Sequence, residues 1–224
     1  MSFRAVLLDY RGTLVPAPTY PELVARGLAH AGRAAGSAEV EAVLRMLRAG
    51  DRSAVGAPDV DADQDRHRAA YEHWFATSGL DAELAAALYA AESDVAAAPF
   101  AHDVAATLGA LTGAGVAIGV VSDIHVDLRP AFAAHASPGG GSLADLVDVW
   151  ALSYEVGAAK PDPRIFAAAL DGLGVPASDV LMVGDRGAWD GAAAELGMTA
   201  LVLPPLRSPD QLRLHRVLDL ALPR

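Results

Sequence analysis

Four short apolar runs in the sequence are each followed by residues that can bind an ion or react. The positions are Asp9, Ser122, Ser153 with Lys160 shortly beyond it, and Asp185. Carboxylate oxygens are the ligands that hard divalent cations such as Mg²⁺ prefer. A hydroxyl group and an ammonium group donate hydrogen bonds to anions. These residue types predict a site around Asp9 that holds a cation and a phosphate-like anion.

Lys160 is unusual because it is the only lysine in a chain with sixteen arginines. An ammonium is a compact point charge, whereas a guanidinium is a planar fork, and the two are not interchangeable at a tight site. Because the chain otherwise uses arginine, its one lysine indicates a position where a point charge is needed.

The elements that must position these residues alternate between strands and helices after Pro99. Apolar runs predict strands at 4–8, 116–121, 148–153, 180–183 and 199–203. Helical patterns fall at 101–113, 127–135, 163–173, 190–196 and 209–221. This alternation predicts a doubly wound α/β fold, a parallel sheet with helices on both faces. Ligands bind at the carboxyl ends of the strands in such sheets, where the four polar positions fall.

Residues 20–98 carry helical periodicity and no strand signal. The predicted helices are 21–35, 38–49, 61–78 and 82–98. We therefore expect two units. Residues 1–14 plus 99–224 form the α/β core domain, and residues 15–98 form a helical cap domain inserted after the first strand.

The polar positions belong to four ordered motifs that resemble those of the haloacid dehalogenase (HAD) superfamily. The motifs are Asp9-x-x-Gly12-Thr13, Val120-Val121-Ser122-Asp123, Lys160-Pro161-Asp162-Pro163 and Val183-Gly184-Asp185 with Asp190 five positions on. Each motif alone has low specificity, but the ordered set is strong and spans the whole core. The insert is similar to a cap of the first type in its position and helical character.

The resemblance implies that Asp9 is a carboxylate nucleophile that forms an aspartyl-phosphate. An anionic nucleophile approaching a phosphate needs charge neutralisation, which Mg²⁺ provides. The implied ligands of Mg²⁺ are Asp9, the backbone carbonyl of Arg11 and Asp185, with Asp190 beside them.

The same resemblance implies which groups hold the phosphoryl oxygens. They are Ser122, followed by Asp123, and the backbone N–H groups around Gly12 and Thr13. Lys160 offsets the negative charge on Asp9 and on the phosphoryl group.

Arg11 departs from the phosphatase pattern, which has an acid–base Asp two residues after the nucleophile. A guanidinium stays protonated at any working pH, so Arg11 cannot donate a proton to a leaving group and then activate water. His67, His73 and His125 are considered as replacements, but a lone His is more often a surface or capping residue. Neither the substrate nor a substitute acid is predicted.

Three interpretations stay open. The first is an Mg²⁺-dependent phosphohydrolase with an altered acid–base step. The second is a metal-independent hydrolase of the haloacid dehalogenase type, since those enzymes carry Tyr where this chain has Arg11. The third is a catalytically weak or inert fold that binds an anionic metabolite or a protein.

The composition limits the partners. The formal net charge is −11 and the pI is about 4.9, which argues against nucleic acid and anionic membranes as ligands. The absence of cysteine excludes thiol nucleophiles and cysteine-bound metals, and no run approaches the roughly 18 apolar residues of a membrane span. We expect a cytoplasmic protein, monomer or homodimer, that acts on a small phosphorylated or anionic metabolite.

Overall fold

A parallel sheet lies at the centre of the computed structural model, which describes residues 3–222. Within that range the sheet has five strands in the order β3-β2-β1-β4-β5. The strands are β1 (Ala5–Leu8), β2 (Ala117–Ser122), β3 (Val149–Leu152), β4 (Val180–Gly184) and β5 (Thr199–Val202). The prediction of a doubly wound α/β sheet is confirmed.

The helices fall into an inserted group and a group that packs on the sheet. The inserted helices are α1 (Tyr20–His30), α2 (Ser37–Ala49), α3 (Gln64–Thr77) and α4 (Ala82–Ser93). The helices around the sheet are α5 (Val104–Gly113), α6 (Arg129–Ala133), α7 (Ser153–Val156), α8 (Pro163–Leu173) and α9 (His215–Ala221). None of the helices within residues 3–222 is long and apolar enough to cross a bilayer.

Strand β1 lies in the middle of the sheet, and its register sets the position of the residue that follows it. Leu8 is aligned with Val120 of β2 on one side and with Val183 of β4 on the other. The chain proceeds from β1 to β2 and β3 on one side and then crosses to β4. This is the switch of direction at which open α/β sheets bind ligands. Asp9 therefore emerges at that point.

Side chains alternate along the strands, so each face of the sheet has its own apolar core. Val6 and Leu8 pack with one cluster that includes residues of α5, α6 and α9. Ala5 and Leu7 pack with the other, against α8 and the 3₁₀ segment Asp190–Leu196. Both faces of β1 are buried, which explains why its sequence is a continuous apolar run.

The inserted helices share a separate apolar cluster. Val24, Leu44, Trp74, Phe75 and Leu88 are buried together in it. This cluster fits the proposed division into a core and a cap, whose boundaries stay a prediction. The Trp74 indole donates to the Leu47 carbonyl at 2.9 Å, which joins α3 to α2.

Several predicted helix bounds were wrong for local reasons. Helix α1 ends at His30 rather than at 35, because Gly32 adopts a left-handed conformation with φ +65°. Helix α4 ends at Ser93 because the Asp94 carboxylate accepts from the Ala96 and Ala97 amides and starts a 3₁₀ turn. The segment 190–196 is 3₁₀ rather than α-helix.

Two other helices begin later than predicted. Residues 60–62 form a separate 3₁₀ turn, so α3 begins at Gln64 rather than at 61. Helix α9 begins at His215 rather than at 209. The amides of Arg213 and Leu214, just before it, donate to the Asp103 carboxylate at 2.6 and 2.7 Å.

Phe132 should dominate the stability of the core beneath α6. It is fully buried, and its ring centroid lies 4.8 Å from that of Phe100, 4.9 Å from that of Trp150 and 5.9 Å from that of Tyr10. Phe132→Ala should lower the free energy of unfolding by about 3–5 kcal/mol, because it leaves a cavity in packed surroundings. Urea unfolding measures this. Leu212→Ala is the control, since Leu212 is 60% exposed; equal losses in both variants would contradict the packing described.

Candidate active site

Asp9 continues the hydrogen-bond ladder of β1 into the site. Its amide donates to the Val183 carbonyl of β4 at 2.9 Å, which fixes the backbone at the sheet edge. The side chain is 6% exposed. The Thr13 hydroxyl donates to Asp9 Oδ2 at 3.1 Å, so the turn after the strand orients the carboxylate.

Lys160 bridges two carboxylates in the interior. Its Nζ donates to Asp9 Oδ1 at 2.6 Å and to Asp190 Oδ1 at 2.6 Å, and the residue is 3% exposed. Burial alone would lower the pKa of Lys160, but the neighbouring charges of Asp9 and Asp190 outweigh burial and raise it. The ammonium therefore stays charged and holds both carboxylates in place.

Asp123 positions the backbone of this lysine. Its Oδ1 accepts from the Lys160 amide at 2.7 Å. The Asp123 carboxylate is thus engaged by the chain and carries the wrong sign for a phosphate, so only its backbone is available for the anion. Ser122, at the end of β2, is buried beside it at 2% exposure. Its role as a phosphate ligand stays a prediction.

Asp185 brings a third carboxylate to the site. Carboxylate oxygens of Asp9, Asp185 and Asp190 lie within 4.8 Å of one another, close enough to share one ion. Asp185 Oδ1 is buried and has no hydrogen-bond partner among the described residues. Such an atom is costly to bury without a partner. A hard cation fits this set, since all three groups offer oxygen.

The charge on Asp9 depends on its surroundings. Burial raises the pKa of Asp9 to about 6, with Asp190 and Asp185 adding to the rise and Lys160 opposing it. One ammonium therefore does not compensate three neighbouring carboxylates, of which Asp9 and Asp190 are buried. A further positive charge would keep Asp9 ionised, as a nucleophile must be.

Two glycines leave the space that the carboxylates of Asp185 and Asp190 occupy. A Cβ at Gly12 would lie 2.5 Å from Asp185 Oδ2, and Gly12 has φ +87°. A Cβ at Gly184 would overlap the carboxyl group of Asp190. Asp190 is 1% exposed, and its Oδ2 accepts from the Arg186 amide at 2.8 Å. The glycines of the first and fourth motifs are thus needed for close packing against the acidic groups.

The backbone amides of the turn after β1 are already used. The Gly12 amide donates to the Val15 carbonyl at 2.7 Å, and the Thr13 amide donates to the Tyr10 carbonyl at 3.3 Å. Arg213 Nη2 donates to the Thr13 carbonyl at 2.9 Å from the other side. This bonding argues against the expectation that the two amides hold phosphoryl oxygens. That the Arg11 carbonyl binds a metal stays a prediction.

The Arg11 side chain points to the cap. Its Nη1 donates to Glu92 Oε1 at 2.7 Å and its Nη2 donates to the Glu92 carbonyl at 2.9 Å. The Glu92 side chain is 8% exposed and lies at the end of α4. Burial works against the Arg11 charge, but the neighbouring Glu92 outweighs it and the pKa of Arg11 is raised. Arg11 therefore links the turn after β1 to the end of α4.

Two of the candidate histidines meet at the same boundary. The ring of His67 from α3 stacks on that of His125, with centroids 3.4 Å apart. Burial lowers the pKa of His67 to about 4 and the pKa of His125 to about 2. His73 lies elsewhere, exposed beside Asp51.

Sequence reasoning missed Glu92 and Arg213. Glu92 carried a signal, because it falls four positions after Leu88 on the apolar face of a predicted helix. A carboxylate on such a face needs a cation, and Arg11 supplies it. Nothing in the pattern marked Arg213, which reaches the turn from the last segment of the chain.

Comparison with known proteins gives the same family along most of the chain. The family described as haloacid dehalogenase-like hydrolase matches residues 3–197. A protein named Phosphatase MT3486 from Mycobacterium tuberculosis is 42% identical over 62 residues, 28% of this chain and 29% of that protein. A protein named (S)-2-haloacid dehalogenase 1 from Pseudomonas sp. is 32% identical over 111 residues, 49% of this chain and 46% of that protein.

Solved structures resemble this chain over nearly its whole length, in contrast to the partial sequence matches. A 2-haloacid dehalogenase structure from Pseudomonas syringae pv. Tomato has a TM-score of 0.61 at 21% identity, covering 94% of this chain and 91% of that one. The chain spans less than half the length of the two curated relatives. The relatives are named for two different reactions, so they leave the substrate class open.

Gly184→Ala tests the packing of the fourth motif. The new Cβ should overlap Asp190 and destabilise the protein by about 1–3 kcal/mol, as overpacking in a closed site does. Gly187→Ala is the matched control, because a Cβ there would meet nothing within 4 Å. Urea unfolding of both variants provides the measurement. Equal stability would show that Asp190 does not lie against the end of β4.

A double-mutant cycle tests the link between Arg11 and Glu92. Arg11→Met, Glu92→Gln and the double variant should give a coupling energy of about 1–3 kcal/mol in thermal or urea unfolding, because a mostly buried ion pair is broken. The comparison pair is Arg48 and Glu41, whose side chains are 63% and 49% exposed. That pair should couple by less than about 0.5 kcal/mol. A coupling equally small at Arg11 would remove the proposed link.

Proposed function

The chain belongs to the haloacid dehalogenase-like hydrolases, and within that family we propose that it is an Mg²⁺-dependent phosphohydrolase of a small phosphorylated metabolite. The observation that carries this proposal is the Asp185 carboxylate. It lies with Asp9 and Asp190 around one point and has a buried oxygen without a partner in the described part of the chain. A third carboxylate beside Asp9 raises the free-energy cost of ionising Asp9, unless the carboxylates share a bound cation.

Asp9 and Asp185 would hold the Mg²⁺, and the Arg11 carbonyl is a further candidate ligand. Asp190 has both oxygens engaged, one by Lys160 and one by the Arg186 amide. It therefore serves mainly to position Lys160 next to the metal ligands. The bound ion would neutralise charge between the carboxylate nucleophile and the phosphoryl group.

The reaction follows from the orientation of Asp9. Lys160 and Thr13 each donate a hydrogen bond to one oxygen of the Asp9 carboxylate, which fixes the orientation in which that carboxylate would attack phosphorus. An Asp9 oxygen forms a bond to phosphorus while the bond to the leaving-group oxygen breaks, and that oxygen departs with the bonding electrons. Water then attacks the phosphorus of the aspartyl-phosphate, releases inorganic phosphate and restores Asp9. Lys160 and Ser122 stabilise the negative charge on the phosphoryl oxygens.

The missing acid narrows the substrates that we propose. Arg11 cannot protonate a leaving group, and its guanidinium is bound to Glu92. The leaving group must then depart without protonation by this residue. Substrates with good leaving groups, such as aryl or acyl phosphates, should be cleaved faster than sugar phosphates.

A metal-independent dehalogenase is the second candidate. The 32% identity with a protein named (S)-2-haloacid dehalogenase 1 favours it, as does a non-acidic residue at position 11. Asp185 favours the first candidate, because its buried oxygen without a partner among the described residues suits a bound cation. A protein that binds an anion without turnover is the third candidate and is an outcome of the same assays.

The deciding assay compares phosphate release with halide release. Purified protein is incubated with an aryl phosphate and a panel of phosphorylated metabolites in Mg²⁺ or in EDTA, and with 2-haloacids in EDTA. We expect phosphate release in Mg²⁺ alone. Asp9→Asn and Asp185→Asn should each lower it by at least about 10²-fold, whereas the exposed Asp171→Asn should not. Halide release in EDTA, or no reaction on either panel, would reject the phosphohydrolase.

A second experiment asks whether Arg11 limits turnover. Arg11→Asp alone would bury a carboxylate beside Glu92, so the substitution is made together with Glu92→Gln. The pair should raise Mg²⁺-dependent kcat on a poor leaving group by about 10²-fold or more, because general acid–base catalysis is worth that much. Glu92→Gln alone is the control. No gain in a correctly folded double variant would show that position 11 does not set the rate.

A further inference from the structure

We propose that Asp61, His67 and His125 form a second metal site, for a transition-metal ion of the Zn²⁺ class, at the boundary between cap and core. His67 lies in α3, Asp61 lies in the 3₁₀ turn before it, and His125 lies in the loop after β2. One donor atom from each residue lies within 4.8 Å of the other two. This cluster is separate from the carboxylates around Asp9 and does not depend on the proposed reaction.

The two imidazoles converge on one oxygen. His67 Nε2 lies 3.7 Å from Asp61 Oδ1, and His125 Nδ1 lies 3.9 Å from the same atom. These distances are too long for hydrogen bonds. Two donors that bind one tetrahedral ion at about 2.0–2.2 Å each lie roughly 3.3–3.6 Å apart, so a small shift of each ring would let both nitrogens share an ion with Asp61.

The remaining ring nitrogens are held by hydroxyl groups of one helix. His67 Nδ1 lies 3.1 Å from the Tyr89 hydroxyl, and His125 Nε2 lies 3.0 Å from the Ser93 hydroxyl. Both hydroxyls belong to α4. A hydrogen bond to the far nitrogen of each ring is what orients histidine ligands in metal sites and fixes their tautomer. The nitrogens that face Asp61 are the ones left for an ion.

Burial and charge also suit a cation here. His67 and His125 are 2% and 3% exposed, and burial lowers the pKa of both, so neutral imidazoles face the Asp61 carboxylate. The guanidinium of Arg11, whose charge acts on both histidines, is paired with Glu92 and is thereby partly neutralised. Two nitrogens and one oxygen favour Zn²⁺, Co²⁺ or Ni²⁺ over Mg²⁺, which prefers oxygen alone.

The stacked rings must turn for the ion to bind. Their planes are 9° from parallel at a centroid distance of 3.4 Å, and nitrogen lone pairs lie in the ring planes. Rotation about the Cβ–Cγ bonds would tilt both planes towards a shared point near Asp61. The ion would then join α3 of the cap to the loop after β2, with a coordination position left for water or ligand.

The test is metal binding by the full chain without an affinity tag, after treatment with a chelator. Zn²⁺ is titrated calorimetrically, and Co²⁺ is followed by its visible absorption. We expect one Zn²⁺ per chain and the strong Co²⁺ absorption of a four-coordinate site. His67→Gln and His125→Gln should each weaken Zn²⁺ binding by more than about tenfold. Loss of a residue that only hydrogen-bonds to a metal ligand already lowers metal affinity by about that factor, and loss of the ligand itself should lower it at least as much.

Two controls make the result decisive. His73→Gln changes an exposed histidine on the same helix, and His102→Gln changes an exposed histidine away from it; in excess Mg²⁺, which occupies the carboxylates around Asp9, both should bind Zn²⁺ as the parent does. Circular dichroism verifies that each variant is folded, and Asp61→Asn offers a milder change if a histidine variant is not. Binding that survives loss of both buried histidines, binding lost in either control, or no binding by the parent would overturn the proposal.

Discussion

The interaction on which this architecture depends is the buried ammonium of Lys160 between Asp9 and Asp190. Removing three charges from water is expensive, and only short, well-aligned contacts offset that cost. Both contacts here are 2.6 Å. The groups come from three places on the chain, so the site forms only when the sheet register brings those places together. The geometry of the candidate site and the fold thus share one constraint.

A lysine suits this position better than an arginine would. Its charge is concentrated at one nitrogen with three donors, which can contact two carboxylates and the Val121 carbonyl within a small volume. A planar guanidinium would need more space than the sheet edge leaves, where glycines already accommodate Asp185 and Asp190. This is a physical reason for a single lysine in an arginine-rich chain. The same reason makes Lys160 recognisable from the composition of the chain.

The sequence predicted those parts of the protein that depend on local pattern and on general rules of sheets. Apolar runs located the five strands, and the carboxyl-end rule grouped Asp9, Ser122, Lys160 and Asp185 at one edge. The sequence could not predict the contacts that join the inserted helices to the core. Arg11 and Glu92 are 81 positions apart, and no motif links the two positions. Helix ends were also unreadable where a single side chain, such as that of Asp94, redirected the backbone.

The departure from the phosphatase pattern at Arg11 lies at the boundary between the inserted helices and the core, and it is physically connected to the other groups there. Arg11 replaces an acid, and its charge is then balanced by Glu92 of α4. The same helix supplies Tyr89 and Ser93 to the buried histidines, and the charge of Arg11 contributes to lowering the pKa of both. A change at position 11 would therefore alter the cap as well as the proton chemistry. Because Arg11 lies in the turn after Asp9 and is bonded to Glu92 of α4, the candidate site and the inserted helices cannot vary independently.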